Sequence, residues 1–233
     1  MLNKKWIPLV LGFNGGYVDT AGFLALNGLF TAHVTGNFAT LGAALVSGST
    51  GTIDKALALP VFCMAIVFCR LIRHSLSRLK LNIFSAMLII KFVLLFIGAF
   101  LAIHYGPFFN GNTVIAVCTG LTFVAAMAIQ NAVHRVHLAT YPPTTVMTLT
   151  TTQVMLDIAD LIHGVSAEQK SQIYGRLKNT IPAMVVFALG CALGAASFNF
   201  LQMWCFALPP FLIFYLWIIV SAKENTPHHQ DLV

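Results

Sequence analysis

Charge is scarce in this sequence. Only 9% of its 233 residues are Asp, Glu, Lys or Arg, and just seven residues are acidic. A soluble domain of this size carries about a quarter charged residues to cover its surface. Without that polar shell, the outer surface has to face lipid. Hydrophobic residues supply 58% of the chain, and mean hydropathy is +0.84. The formal net charge of +6 does not indicate nucleic acid, because the basic residues sit in short clusters between apolar runs. That is the signature of cytoplasmic loops in a membrane protein.

Motifs for bond-making chemistry are missing as well. Cys63, Cys69, Cys118, Cys191 and Cys205 lie in or at the ends of apolar runs, with no CxxC spacing. They read as small hydrophobes in helix packing. No His/Glu/Cys cluster has metal-ligand spacing, no GxSxG occurs, and no Gly-rich strand-to-helix phosphate loop appears. The expectation is a protein that is not an enzyme, with no catalytic residues, no metal site and no cofactor. The opening MLNKKWIPLVLGFNGG has the charged and apolar regions of a signal peptide but no small-residue cleavage site, so it reads as a retained first helix.

What is present is a series of eight apolar stretches. They run Trp6–Leu26, Phe30–Ser47, Leu57–Arg70, Ile83–His104, Val114–Val133, Thr145–His163, Ile181–Ser197 and Met203–Val220. A full crossing needs about 20 apolar residues. The second stretch carries His33, Thr35, Asn37 and Thr40; the sixth carries Thr148, Thr150, Thr151, Thr152, Gln153, Asp157 and Asp160. Loop charge tests these two independently. Basic clusters occur at Lys4/Lys5, at Arg70/Arg73/Arg78/Lys80 and at Lys170/Arg176/Lys178, with Lys223 after the last stretch. The linkers His104–Thr113 and Ser197–Gln202 contain no Lys or Arg. If short basic loops stay cytoplasmic, one stretch in each set of three fails to cross; the alternative, eight full spans with parallel halves, places four basic residues outside.

An internal repeat nominates the same element twice. Asp19 in GGYVDTAGF is followed by Ala32-His33-Val34-Thr35-Gly36-Asn37, and Gln130-Asn131 in AMAIQNAVHR by Thr144-Thr145-Val146-Met147-Thr148. Asp19 aligns with Asn131 and Thr35 with Thr148. The sequence therefore predicts an all-α polytopic membrane protein with six transmembrane helices and two re-entrant or broken segments, Phe30–Ser47 and Thr145–His163. Three spans per half invert one half relative to the other. A single membrane domain covers 1–233, with halves 6–104 and 114–220 and a polar cytoplasmic tail at 221–233. Pro60 and Pro182 each read as opening the third stretch of a half. The segment Gly164–Lys178 reads either as an interfacial helix or as a flexible linker.

At GGYVDTAGFLALNGLFTAHVTGNFATLG the sequence resembles the YoaK-like family of bacterial integral membrane proteins, a domain of unknown function; QNA and TTVMT match its second signature. The resemblance covers essentially the whole chain. This sequence departs from the family at Leu149, where a glycine is usual, and at Lys91, where an acidic residue is frequent. The resemblance implies location and architecture: the bacterial cytoplasmic (inner) membrane, crossed many times.

Polar groups inside membrane helices are costly and usually functional. The candidate substrate-binding residues are Asp19, His33, Thr35, Gly36, Asn37, Gln130, Asn131, Thr144, Thr145 and Thr148. Asp19 reads as a proton or cation site, or as a hydrogen-bonding anchor between helices. Thr35-Gly36-Asn37 reads as a helix start inside the membrane with free N–H groups and its positive dipole end facing a cavity, or as small-residue packing with Ala39, Gly42 and Ala43. His33 reads as a proton shuttle or as a satisfied core histidine. Lys91 is expected to snorkel to the cytoplasmic interface, with Asp19, Asp157 or Asp160 as alternative partners. Asp157 and Asp160 read as a pathway mouth or as headgroup residues. The functional expectation is a transporter or channel for a small molecule or ion, both termini cytoplasmic, in contact with the lipid bilayer and compatible with homo-oligomerisation. The rival is a non-transporting scaffold or assembly partner.

Overall fold

The computed structural model describes residues 6–78, 82–145 and 147–224. Lys4, Lys5, Lys80 and residues 225–233 of the expected tail lie outside the described residues. Among the described residues the chain is all-helical, with no strand. Its helices are α1 (Trp6–Ala25), α2 (Gly36–Ser47), α3 (Ile53–Arg78), α4 (Ile83–Tyr105), α5 (Val114–His137), α6 (Thr148–His163), α7 (Ala167–Leu201) and α8 (Leu208–Glu224). A 3₁₀ turn, Gln202–Ala207, joins α7 to α8.

Local signals account for several of these boundaries. Asn82 caps α4 by accepting from Ser85 N at 3.2 Å, and Thr113 caps α5 by accepting from Ala116 N. Ser166 and Gln169 form a capping box that starts α7. The polar stretch Gly164–Lys178 is thus neither linker nor separate interfacial helix. From Ala167 onward it is the first turns of α7 itself. Both prolines also differ from expectation. Pro60 and Pro182 lie inside α3 and α7 rather than at their starts.

Among the described residues, four helical stretches are long and apolar enough to cross a membrane: Ile53–Arg73, Ile83–Tyr105, Val114–His137 and Ala167–Ala222. The last contains both α7 and α8, which part at Gln202, where φ is +49°. The chain is a multi-pass membrane protein. Helix α1 is not among those four, because Asn14, Asp19 and four glycines dilute its hydropathy. It is instead an inner helix, with more than half of its residues buried.

Two ends of the bundle can be identified by their contacts. At one end, Asn27 donates to Phe108 O at 3.0 Å, and Lys55 Nζ donates to Asn27 O at 2.6 Å and to Gly51 O at 2.5 Å. Asn112 Oδ1 accepts from Gly51 N and Thr52 N at 3.1 and 3.0 Å. The ends of α1 and α4 and the starts of α3 and α5 therefore meet. At the other end, Trp217 Nε1 donates to Ser85 Oγ at 2.8 Å, and the rings of Phe84 and His137 lie 5.4 Å apart. The start of α4 thus meets the ends of α5 and α8.

Packing crosses the halves. Helix α1 packs chiefly on α7, and α3 on α5. The α1–α7 seam is built on glycine. A Cβ added to Gly16 would lie 2.3 Å from Phe187 O, one on Gly190 2.2 Å from Phe13 O, and one on Gly194 2.6 Å from Tyr17 O. The two backbones touch, as small-residue interfaces in membranes allow. The register runs Gly12 with Ala183 and Tyr17 with Gly194, so α1 and α7 are parallel. Cys69 packs with Ile129 and Val133, while Asp54 approaches Gly120, so α3 and α5 are parallel too.

Candidate functional site

The first break is organised by Asp19. Its carboxylate sits six residues before the end of α1 and is 4% exposed. Oδ1 accepts from Ala32 N at 2.6 Å, His33 N at 3.3 Å and Thr31 Oγ1 at 3.4 Å. Oδ2 meets His33 Nδ1 at 2.6 Å. A carboxylate that accepts fixes the imidazole hydrogen on Nδ1, leaving Nε2 as the ring's other nitrogen. The His33 side chain is 39% exposed, with its ring edge-on to Phe187 and Phe30. Six helical residues rise about 9 Å. The chain after α1 therefore turns back that far along it before α2 begins.

Asn37 locks the same loop. Its Oδ1 accepts from Phe30 N and its Nδ2 donates to Phe30 O, both at 2.8 Å, and the side chain is 1% exposed. Both ends of the amide are engaged in this clasp. The first N–H groups of α2 are engaged as well: Gly36 N donates to His33 O, Asn37 N to Val34 O and Phe38 N to Thr35 O. This differs from the expected free N–H groups facing a cavity. A tight turn satisfies them inside the loop. Small-residue packing of α2 is not seen either: an added Cβ on Gly42 meets nothing within 4 Å, and one on Gly36 meets only the Phe30 ring. Thr35 is exposed and makes no side-chain cap.

The second break repeats the construction with neutral groups. Thr145 Oγ1 donates to Asn131 Oδ1 at 2.6 Å, and Asn131 Nδ2 donates to Met127 O. Gln130 Nε2 donates to Leu11 O at 2.9 Å and to Thr144 Oγ1 at 3.1 Å. Asn131 also lies six residues before the end of its helix. Asp19 to Asn131, His33 to Thr145, and the first residues of α2 and α6 are all separated by 112 positions. The structure thus pairs Gly36, rather than Thr35, with Thr148. Thr148 itself is exposed, on the wall of an open groove of about 580 Å³ with Thr151, Thr152, Met155 and Leu156.

The two clusters approach each other on α1. A Cβ on Gly15 would lie 3.0 Å from both Gln130 Nε2 and Thr144 O. Gly15 precedes Asp19 by one helical turn on the same face, about 6 Å along the axis.

Lys91 is the largest departure from expectation. It does not snorkel; it is 1% exposed, about a third of the way along α4. Nζ donates to Asn14 Oδ1 at 3.0 Å and closely to Gln130 Oε1. Asn14 is itself fully buried and donates to Pro209 O. None of Asp19, Asp157 and Asp160 pairs with Lys91. Asp157 instead takes a two-pronged Arg176, Nη2 to Oδ1 at 2.6 Å and Nε to Oδ2 at 3.1 Å, clamping α6 on α7. Gln153 adds a third bond to it. Asp160 is exposed on the outer face of α6.

Three features escaped the sequence reading. Asn14 and Thr31 are buried partners of Lys91 and Asp19, and the glycine seam joins α1 to α7. The seam had a signal, since Gly12/Gly16 and Gly190/Gly194 are both spaced by four. Thr31 had none, because one threonine before a break resembles any other.

A family model described as "Protein of unknown function (DUF1275)" matches residues 7–219. The chain belongs to the DUF1275 family. The match spans α1 to most of α8 and includes both breaks. It agrees with the YoaK-like resemblance drawn from GGYVDTAGF and TTVMT. No match was found among curated proteins, nor among solved structures. What a DUF1275 chain does must therefore be argued from its own residues.

Proposed function

We propose that this protein moves a small solute across the bacterial inner membrane, through a site near the bilayer midplane where the two breaks meet α1. The observation that carries this reading is the duplicated break. In each half a polar side chain six residues from a helix end bonds a residue fourteen positions later, and a short helix then starts inside the bundle. Polar backbone interruptions at membrane depth occur where they are buried in protein or line a solute cavity.

In this reading α2 and α6 are re-entrant. The loop after α1 and the start of α3 share one end of the bundle, so residues 26–52 begin and end on one side. Parallel packing of α7 on α1 returns residues 138–166 to the opposite side. Six spans follow, α1, α3, α4, α5, α7 and α8, with both termini cytoplasmic and the halves inverted. The exchange of partners, α1 with α7 and α3 with α5, supports that two-fold relation. The reading assigns no enzymatic step and no cofactor. Lipid surrounds the bundle, and the solute is a small molecule or ion.

One observation favours the rival, a non-transporting scaffold. Asp19, Asn37 and Asn131 all spend their hydrogen bonds on the chain itself. The test is purified protein in proteoliposomes loaded with a solute panel, read beside empty liposomes. Solute-specific flux supports transport. Its absence across the panel, from folded and correctly inserted protein, leaves the scaffold.

A further inference from the structure

The first break presents a polar atom that the fold does not satisfy. His33 Nδ1 is held by Asp19 Oδ2 at 2.6 Å. The other ring nitrogen, Nε2, makes no hydrogen bond to a described residue, and the His33 side chain is 39% exposed against 5% for Asp19. The pair lies about 9 Å in from the end of α1. Hydrocarbon cannot satisfy a ring nitrogen at that depth, so Nε2 has to meet water or solute. Asp19 has no such access. Ala32 N, His33 N, Thr31 Oγ1 and the imidazole enclose its two oxygens. The carboxylate is sealed, and the imidazole connects it to the outside.

With Nδ1–H donated to Asp19 and Nε2 bare, the pair carries one negative charge. A proton arriving from water at Nε2 makes an imidazolium while Nδ1–H stays bonded to Oδ2, and the pair becomes neutral. No bond breaks and no group has to leave. A carboxylate this close favours the charged ring. The other surroundings add no charge of their own. Among the described residues, the loop presents Phe30 to the ring, and α7 presents Phe187 with Cys191 one turn on, near Asp19 and Gly16. A thiol is neutral at pH 7 unless cationic neighbours lower it. The second break holds Asn131 and Thr145 at the equivalent positions, and neither can titrate.

We propose that the Asp19–His33 pair is a proton-binding site, loaded and emptied through His33 Nε2, and that its proton is the coupling ion for the solute. Resting on the transport reading, this assigns one proton per chain to the first break and none to the second.

The test uses full-length protein in nanodiscs. Ala32–His33 is the one Ala–His step in the sequence, so 13C-carbonyl alanine with 15N-histidine labelling identifies the His33 amide by NMR without mutation. That amide itself donates to Asp19 Oδ1 and reports the charge of the pair. A reversible one-proton transition is expected as pH is varied, with a midpoint lower by about 1 unit or more in Asp19→Asn. A wild-type His33 that does not titrate overturns the proposal, as does an unchanged midpoint in Asp19→Asn. Proteoliposomes enclosing a pH-sensitive dye, given the solute panel, then read coupling. A transported solute should change lumenal pH in wild type, and His33→Asn, which keeps a donor for Asp19 but cannot titrate, should lose that change. Solute flux with no pH change in wild type, or an equal change in His33→Asn, overturns the coupling role while keeping the transporter. Titration of His33 without flux of any panel solute keeps the proton site and removes the transporter.

Discussion

Asp19 and His33 meet at 2.6 Å across fourteen residues of chain, and with the Asp19 bonds to Ala32 N and His33 N that contact holds the segment after α1 back in the bundle. Asn131 and Thr145 repeat the separation and the distance in the second half. One pair contains ionisable groups; the other is neutral.

Substitution at Asp19 should reveal an anchor first. Asp19→Leu strips acceptors from Ala32 N, His33 N and the His33 ring. Each buried donor left without a partner costs about 1–3 kcal/mol. Unfolding in detergent should show a large loss of stability for Leu and a smaller one for Asn, which keeps an acceptor oxygen. Equal stability of the Leu variant and wild type would contradict this.

Asn37 makes a sharper case, because its neighbours are known at both atoms. Asn37→Leu leaves Phe30 N and Phe30 O without their partners, at about 1–3 kcal/mol for each group. Asn37→Asp preserves the acceptor for Phe30 N and should fall between the two. The ranking wild type, Asp, Leu in Tm is the expected result, and an undiminished Tm for Leu would show that the clasp contributes nothing.

The glycine seam predicts opposite signs for one substitution at two positions of α7. Gly190→Ala puts a methyl group 2.2 Å from Phe13 O and must push α1 away, at about 1–3 kcal/mol. Gly175→Ala meets nothing within 4 Å and should stabilise by about 0.5–1 kcal/mol through helix propensity. Finding the two equally neutral would remove close backbone contact as the basis of the α1–α7 pairing.

Topology is testable by single cysteines in a background lacking the five native ones. Ser49 and Asn110 should label from outside the cell, and Ser77 and Gln172 from the cytoplasm. Asn110 is a better reporter than Gly106, where a Cβ would lie 2.5 Å from Ala102 O. Labelling of Ser49 and Asn110 from opposite sides would mean that α2 crosses the membrane, and the six-span arrangement would fall.

The sequence reading recovered what depends on composition and spacing. The helical stretches, and the non-helical segments that part α1 from α2 and α5 from α6, were visible because apolar runs and polar interruptions follow simple periods. What it missed depends on the direction of side chains in three dimensions. Lys91 looked like a snorkelling residue because nothing in its own helix shows that Asn14 and Gln130 converge on it. Asn37 looked cavity-facing because its partner, Phe30, offers only backbone. Pro182 looked like a helix start because hydropathy falls before it, yet the capping box at Ser166 starts the helix earlier.

The exchange of partners between halves also has a temporal side. Gly16 rests on Phe187, far along the same chain. Ribosomes add roughly 5–20 residues per second, so α1 waits roughly 10–30 s in the bilayer before its mate is made. Through that interval its glycine face, with Asn14 and Asp19 beside it, has neither α7 nor α5 to lean on. The newborn N-terminal half is therefore the vulnerable species in biogenesis, the stage at which the insertion machinery or a membrane protease has longest access to it.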